Sequence, residues 1–212
     1  SVSELIACGK RPPGMPNFSD AGVGPTSHLV AAMFASQAGM EITPIAYKGA
    51  GPALNDLMGN QVDAMFDQTN TALPQTRGGK VRALGLTSAS AMAQFPNVAP
   101  MGEQALPGFQ VATRYGLYAP KGTPDAVVQT LYQAWQKALA DNDFTGKMVE
   151  QGIQLLPEGQ YAPAAFQQFT ADEGKRWAGV IKQAGITLQQ ARHTRRVLLA
   201  SDIETSIAQA LQ

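Results

Sequence analysis

The chain has 212 residues, 44% of them hydrophobic, and its 16 basic residues balance 16 acidic ones. Zero net charge gives no broad attraction to nucleic acid or to an anionic membrane, so we expect neither nucleic-acid binding nor direct membrane insertion. No uninterrupted apolar run is long enough to span a bilayer, and a single cysteine, Cys8, excludes an internal disulfide and a cysteine-based zinc cluster.

Strands and helices are predicted to alternate along the chain, which is the pattern of an α/β fold. The predicted helices cover residues 2–9, 25–38, 51–58, 71–77, 124–140, 143–151 and 162–184. The predicted strands cover residues 17–20, 42–47, 62–66, 82–87, 111–119 and 154–156. The strand at 82–87 alternates poorly, which predicts burial on both faces. Residues 88–109, with several prolines and glycines, are predicted to be irregular.

The turn after the first predicted strand carries the sharpest local signal. It comprises Ala21, Gly22, Val23, Gly24, Pro25, Thr26, Ser27 and His28. Its two glycines can adopt positive φ, and its proline suits the first turn of a helix. Free N–H groups at that helix start, with hydroxyl and imidazole side chains, favour a carboxylate or phosphate. A tight turn without a ligand is an equally good interpretation, because neither the dinucleotide fingerprint nor a P-loop is present.

Two further turns follow predicted strands and should reach the same sheet edge, where open α/β sheets bind ligands. The second turn contains Tyr47, Lys48 and Gly49, which offer a hydroxyl and a cation. A lone lysine in a loop is more often a solvated charge. The third turn begins at Asp67, which either caps the next helix, the commoner use, or faces a ligand.

No arrangement typical of an enzyme accompanies these turns. The only histidines are His28 and His193, and the chain has neither a nucleophile elbow nor a metalloprotease helix. A triad assembled in space stays open, as does weak metal binding by Asp20 with His28. Asp63 and Asp67 are four residues apart on a predicted strand, which does not establish a glycosidase pair. We predict no catalytic residue, no resident metal and no cofactor.

Several consecutive segments resemble, in order and spacing, the Bug family, the extracytoplasmic solute-binding proteins of tripartite tricarboxylate transporters. These segments are residues 18–24, 28–29, 47–53, 56–57, 59–63, 65–67, 79–84 and 116–124. The resemblance extends from Ser1 to about Gln189. It implies a type II periplasmic-binding-protein-like α/β fold. Ligands of such proteins lie in a cleft between two domains, held largely by backbone amides, hydroxyls and ordered water.

The resemblance also implies how the chain is divided. Residues 1–114 would form one complete ligand-binding lobe, and residues 115–189 would form a hinge strand and the C-terminal part of the other lobe. Residues 190–212 match nothing in the family pattern and are expected to be a helical tail. A signal peptide and a half-domain are expected before Ser1, so the chain is expected either to be a natural or engineered fragment or to have part of the family sequence replaced.

Helices predicted after residue 124 carry apolar stripes that need a covering partner. The stripe residues are Val128, Leu131, Trp135, Leu139, Phe166, Phe169, Trp177 and Ile181. We expect them to be core residues, and by resemblance their sheet would belong to the absent half-domain. The chain is therefore expected to cover this surface by self-association or by docking residues 197–211.

The function implied by the resemblance is reversible capture of a small carboxylate in the periplasm for delivery to the membrane permease subunits of the transporter. The expected ligand-binding residues are Ala21, Gly22, Val23, Gly24, Thr26, Ser27, His28, Tyr47, Lys48, Gly49, Asp67, Thr69, Thr113 and Tyr115. Asp67 with Thr69 would select for or against amino or hydroxyl substituents, and Thr113 to Tyr115 would close the floor. A dicarboxylate, an aromatic acid and an amino acid all remain open as ligands. The alternative is a noncatalytic interaction or sensory domain with a vestigial cleft.

Overall fold

The computed structural model describes residues 1–12, 14–21, 26–157 and 159–183. Within these residues, three parallel strands form one sheet: β1 (Asn17–Asp20), β2 (Thr43–Ala46) and β3 (Ala64–Met65). Their order is β2-β1-β3, with Phe18 paired to Pro44 on one side and to Ala64 on the other. Each strand therefore ends at the same edge of the sheet.

The described part of the chain also contains eight helices. They are α1 (Val2–Gly9), α2 (Thr26–Ala38), α3 (Ala50–Met58), α4 (Thr69–Arg77), α5 (Met101–Gln104), α6 (Asp125–Leu139), α7 (Asn142–Glu150) and α8 (Pro163–Gln183). All but α5 were predicted to within two residues at each end. The short α5 lies inside the segment predicted to be irregular. Local signals explain this agreement: Ser1 and Glu4 form a capping box for α1, and the Asp141 side chain caps α7.

The strand order places a topological switch point beside the central strand. Helix α2 joins β1 to β2, and α3 then carries the chain back across β1 to β3. Because such crossovers are right-handed, α2 and α3 lie on opposite faces of the sheet. Ligands of doubly wound sheets bind at the carboxyl ends of the strands where the connections diverge, here between β1 and β3.

Four phenylalanines form the centre of the core. The rings of Phe18, Phe34, Phe66 and Phe109 form successive contacts with centroids 5.6 to 6.3 Å apart. Phe34 comes from α2, whereas Phe18 and Phe66 come from β1 and from the residue after β3. This cluster therefore fastens α2 to one face of the sheet and sets the position of its N-terminal end.

The C-terminal half of α8 joins the same core. Trp177 is 1% exposed and, with Ile181, belongs to the cluster that contains Phe34. The prediction that these two stripe residues pack on a sheet outside this lobe is therefore wrong, because α8 lies against α2. The α6 stripe behaves differently: none of its residues is buried, and Trp135 is 37% exposed.

Three predicted strands do not form. Residues 82–87 make a single isolated bridge, between Leu86 and Pro100, and only Leu86 among them is buried, not both faces as predicted. Residues 111–119 and 154–156 contain no strand either. The two outer strands of the sheet are also shorter than the predicted 42–47 and 62–66. Apolar sequence suits a strand, but a strand also needs a continuous ladder of backbone hydrogen bonds. Among the described residues these segments make only the Leu86–Pro100 bridge and isolated hydrogen bonds, such as the one from the Val111 amide to the Thr87 carbonyl oxygen.

Candidate functional site

The carboxyl ends of the three strands bring the predicted turns together. The Tyr47 amide donates to the Asp20 carbonyl oxygen at 3.0 Å, which continues the β1–β2 ladder to the sheet edge. The Ala21 amide donates to Ser27 Oγ at 3.2 Å, so Ser27 closes the turn between β1 and α2. Thr26 is the first residue of α2. The predicted roles of Gly22, Val23 and Gly24 lie outside the described residues.

Asp20 and His28, which flank this turn, form a buried contact between a carboxylate and an imidazole. Asp20 is 1% exposed, and its Oδ2 lies 3.0 Å from Nδ1 of His28, on the first turn of α2. Because a carboxylate only accepts, Nδ1 carries the hydrogen, and Nε2 is the nitrogen left for another partner. The sequence proposed this pair only as a weak metal site. No group of three or more metal-ligating side chains occurs among the residues that the structure describes.

The second turn forms one wall of the edge. The Tyr47 hydroxyl donates to Asp56 Oδ2 of α3 at 2.6 Å, and this hydrogen bond raises the pKa of Tyr47. Lys48 is exposed, and Gly49 precedes α3 with φ 121°, a conformation that favours glycine. Asp56 was missing from the predicted site, since nothing in the local sequence indicates which helical position a loop tyrosine will meet.

Asp67 follows β3 at the same edge but does not occupy the N-cap position of α4. Gln68 does, so the capping interpretation of Asp67 is wrong. Burial raises the pKa of the Asp67 carboxyl, although the Thr71 hydroxyl and the Gln68 amide lower it in part. Its Oδ2 is buried and has no hydrogen-bond partner among the described residues. Such an atom is costly unless a donor reaches it.

Tyr115 and Gly152, which are distant in sequence from Asp67, contact the residues that follow it. The Tyr115 hydroxyl donates to Gln68 Oε1, and burial together with the nearby Asp67 charge raises the pKa of Tyr115. The Thr69 hydroxyl donates to the Gly152 carbonyl oxygen at 2.9 Å. Thr113 is exposed and makes no hydrogen bond within the described part of the chain. The structure thus brings Tyr115 to Asp67 through Gln68, a residue that the sequence analysis did not select.

Asp67→Asn should stabilise the ligand-free protein near neutral pH. A carboxyl whose pKa is raised on folding contributes stability that is complete below its unfolded pKa, about 3.9, and is lost as pH rises through the folded pKa. Asparagine is neutral throughout, so the variant's advantage in urea unfolding should grow as pH rises from 4 to 7.

Asp63→Asn is the matched control for this pH series. Its carboxylate lies at the opposite end of β3, where Oδ2 already accepts from the Asn17 amide at 2.7 Å, so asparagine there relieves no unpaired buried oxygen and should not stabilise the protein. A difference between Asp67→Asn and wild type that stays constant from pH 4 to 7 would contradict the assignment.

A separate surface cleft lies away from this edge. It has a volume of about 580 Å³ and is lined by residues before β1 and β2, including Lys10, Arg11 and Glu41. These residues are at the amino ends of the strands, whereas ligands of open α/β sheets bind at the carboxyl ends. We therefore place the candidate site at the strand ends and not in this cleft.

Comparisons with known proteins agree with the α/β fold described above. A family model described as the tripartite tricarboxylate transporter family receptor matches residues 1–186. The chain is 33% identical over 189 residues to Protein BugT of Bordetella pertussis, covering 89% of this chain and 57% of that protein. A protein from the tcbD-tcbE intergenic region of Pseudomonas sp. strain P51 is 34% identical over 190 residues, or 89% of this chain and 56% of that protein. The chain therefore spans somewhat more than half the length of these relatives.

Solved structures show the same partial coverage. The periplasmic binding protein BugD matches with a TM-score of 0.78 and 36% identity, over 87% of this chain and 61% of that one. MatC of Rhodopseudomonas palustris, with bound malate, matches with a TM-score of 0.74 and 32% identity, over 85% and 60%. R. palustris Rpa4515, with adipate, matches with a TM-score of 0.78 and 28% identity, over 87% and 61%. No described helix has both the length and the apolar character needed to cross a bilayer.

Proposed function

The chain belongs to the tripartite tricarboxylate transporter receptor family, and we propose that it is a periplasmic solute-binding protein that captures a small carboxylate. We propose further that it delivers this ligand to the membrane permease subunits of such a transporter. Members of this family are receptors rather than enzymes. One observation carries the proposal: the strand ends converge beside the N-terminus of α2, in a fold shared with proteins that hold malate and adipate.

The proposed binding mode uses the start of α2 as the anion site. A carboxylate there would meet free backbone N–H groups and the positive end of the helix dipole. The amides of Gly22, Val23 and Gly24 would contribute from the turn. Nε2 of His28 would donate when the imidazole is protonated, and Asp20 would hold the ring in place through Nδ1.

The remaining proposed contacts surround that anion site. Tyr47, Lys48 and Gly49 would form the wall on the β2 side, while Asp67, Thr69 and Tyr115 would form the opposite side. We propose residues 1–114 as the ligand-binding lobe and residues 115–189 as the hinge and part of a second lobe. The end of α8 is an exception to that division, since Trp177 packs in the core of the first lobe.

His28→Ala tests the proposal directly. Calorimetric titration with malate, succinate and adipate should give measurable binding to the wild type and about tenfold or weaker binding to the variant. A hydrogen bond to a charged group contributes about 1.5–3 kcal/mol, or a factor of about 10 to 150. Gln37→Ala, on the exposed C-terminal turn of the same helix, should leave affinity unchanged.

Two outcomes would count against this reading. Equal affinity in the two variants would remove His28 from the site. No binding of any small carboxylate by the wild type would instead favour a noncatalytic interaction or sensory domain with a vestigial cleft. Circular dichroism of His28→Ala separates a lost contact from lost folding.

We also propose that the chain self-associates. Of the large hydrophobic side chains that are exposed in the described part, all but Met15 lie between Tyr115 and Leu155. We call this set the apolar surface: Tyr115, Leu117, Tyr118, Val127, Leu131, Trp135, Phe144, Val149 and Leu155. Next to it, the backbone of residues 112–117 makes no hydrogen bond to a described residue. A second copy suits this surface, because two identical extended segments can pair antiparallel about a two-fold axis.

A further inference from the structure

We propose that Asp67 makes the site select carboxylates that also carry a hydrogen-bond donor, either a hydroxyl or an ammonium group. This inference rests on the proposed function, because it concerns a second group on the same ligand. It goes beyond that function by naming the substituent and the atom that recognises it, Oδ2 of Asp67.

One oxygen of the Asp67 carboxyl lacks a hydrogen-bond donor. Oδ2 of Asp67 is buried and has no hydrogen-bond partner among the described residues. The Thr71 hydroxyl and the Gln68 amide interact with the carboxyl and still leave Oδ2 unpaired. Buried carboxylate oxygens are nearly always paired, so an unpaired one at a binding edge is suited to a donor that arrives with the ligand.

Two neighbouring hydroxyl groups donate elsewhere. The Tyr115 hydroxyl donates to Gln68 Oε1, and the Thr69 hydroxyl donates to the Gly152 carbonyl oxygen. Neither hydroxyl can therefore satisfy Oδ2 of Asp67 without giving up an existing hydrogen bond.

Asp67 lies at the same sheet edge as the start of the first turn. Ser19 of β1 pairs with Met65 of β3, so Ala21 and Asp67 each come two residues after a paired position. Adjacent paired strands lie about 4.8 Å apart, and these two residues therefore follow neighbouring strand ends. A hydroxyl or ammonium on the carbon next to a carboxylate lies within that span.

Site chemistry also favours a donor over a second carboxylate at this position. Asp20 is paired with His28, whereas Asp67 has no cationic partner among the described residues. A ligand carboxylate placed against Oδ2 would meet a like charge in a partly buried setting, which is unfavourable. A hydroxyl or ammonium group would instead form a hydrogen bond to a charged acceptor, and these are the stronger kind. Selection thus comes from attraction of the donor and repulsion of its competitor.

The experiment compares matched acids that differ by one substituent. Calorimetry on the full 212-residue chain at pH 7.5 would measure succinate against malate and aspartate, and propanoate against lactate and alanine. We expect the wild type to bind at least one donor-bearing acid about tenfold or more tightly than its plain partner. Asp67→Ala should reduce that ratio to within about threefold and leave the plain acid's affinity within about threefold of wild type.

Controls and contrary results are built into the same series. Asp63→Ala removes the same side chain at the opposite end of β3 and should keep the wild-type ratio. Asp67→Asn keeps the shape of the side chain but removes its charge, so it controls for loss of folding in Asp67→Ala. It should reduce the preference for acids with an ammonium group more than the preference for acids with a hydroxyl group. Equal binding of plain and donor-bearing acids by the wild type overturns the inference while the proposed function stands. Equal loss for both acids in Asp67→Ala also overturns it. No binding of any acid would refute the proposed function itself.

Discussion

Trp177→Ala should lower the free energy of unfolding by about 3–5 kcal/mol, the usual cost of removing a fully buried large aromatic side chain. Trp177 is 1% exposed and lies in the core cluster with Phe34, where α8 meets α2. Its indole N–H also donates to Glu173 Oε2 at 3.1 Å. Urea unfolding followed by circular dichroism would measure the loss.

Trp135→Ala is the matched control, because these are the two tryptophans of the chain. Trp135 is 37% exposed on α6 and contacts the Phe144 ring of α7, with centroids 6.4 Å apart. In the monomeric chain its removal should cost under about 1 kcal/mol, within the range of an aromatic pair at a partly exposed site. At protein concentrations low enough to give monomers, acrylamide should quench Trp135 fluorescence and leave Trp177 protected. Similar losses of stability in the two variants would contradict the assignment of Trp177 to the lobe core.

Replacing both Leu117 and Leu131 by aspartate should shift the chain from assemblies to monomers and raise the dissociation constant of the assembly at least about tenfold. Both residues belong to the apolar surface, and Leu117 is 67% exposed. Desolvating a charge in the centre of an interface costs more than burying the leucine gains. Sedimentation equilibrium across a range of protein concentrations would measure the change in the association constant.

Met15→Asp is the control for this prediction, because Met15 is exposed but lies outside the apolar surface. It should leave assembly unchanged. A wild-type chain that is monomeric at all concentrations would refute self-association. In that event, residues 197–211 would be the other group expected to cover the apolar surface, although they lie outside the described residues. Deletion of residues 192–212 would test this alternative. Larger assemblies after the deletion would support that covering role.

The elements that could be predicted depend on local signals. Helix α1 and strand β1 were predicted with their observed bounds, Val2–Gly9 and Asn17–Asp20, because a capping box and flanking glycine and proline mark their ends. Residues 111–119 carry an equally good strand pattern and form no strand. Strand formation depends on a neighbour that is distant in sequence, and apolar alternation does not report whether one is present.

Part of the candidate site could likewise be predicted from the sequence, and part could not. Chain order and parallel strands were enough to predict that the turns at His28, Tyr47 and Asp67 meet at one edge. Asp56 as the partner of Tyr47 and Gln68 as the partner of Tyr115 could not be assigned, because each depends on the angle at which a helix or extended segment crosses the sheet. Asp20 was named beside His28 only as a weak metal site, and the structure shows a contact between the two side chains. The same limitation explains Trp177: helical spacing placed it on an apolar stripe, but the packing of α8 against α2 decided which core that stripe enters.

The sequence by itself determined the α/β class, the family, the approximate bounds of every described helix except α5, and the turns that follow β1, β2 and β3. These properties follow from backbone preferences and side-chain periodicity, which act over a few residues. Only the tertiary structure decided that Asp20 pairs with His28, that Oδ2 of Asp67 is buried without a donor, and that the two tryptophans differ in burial. The physical reason is that burial and hydrogen-bond pairing are set by groups far apart in the chain, whose approach depends on how whole elements pack.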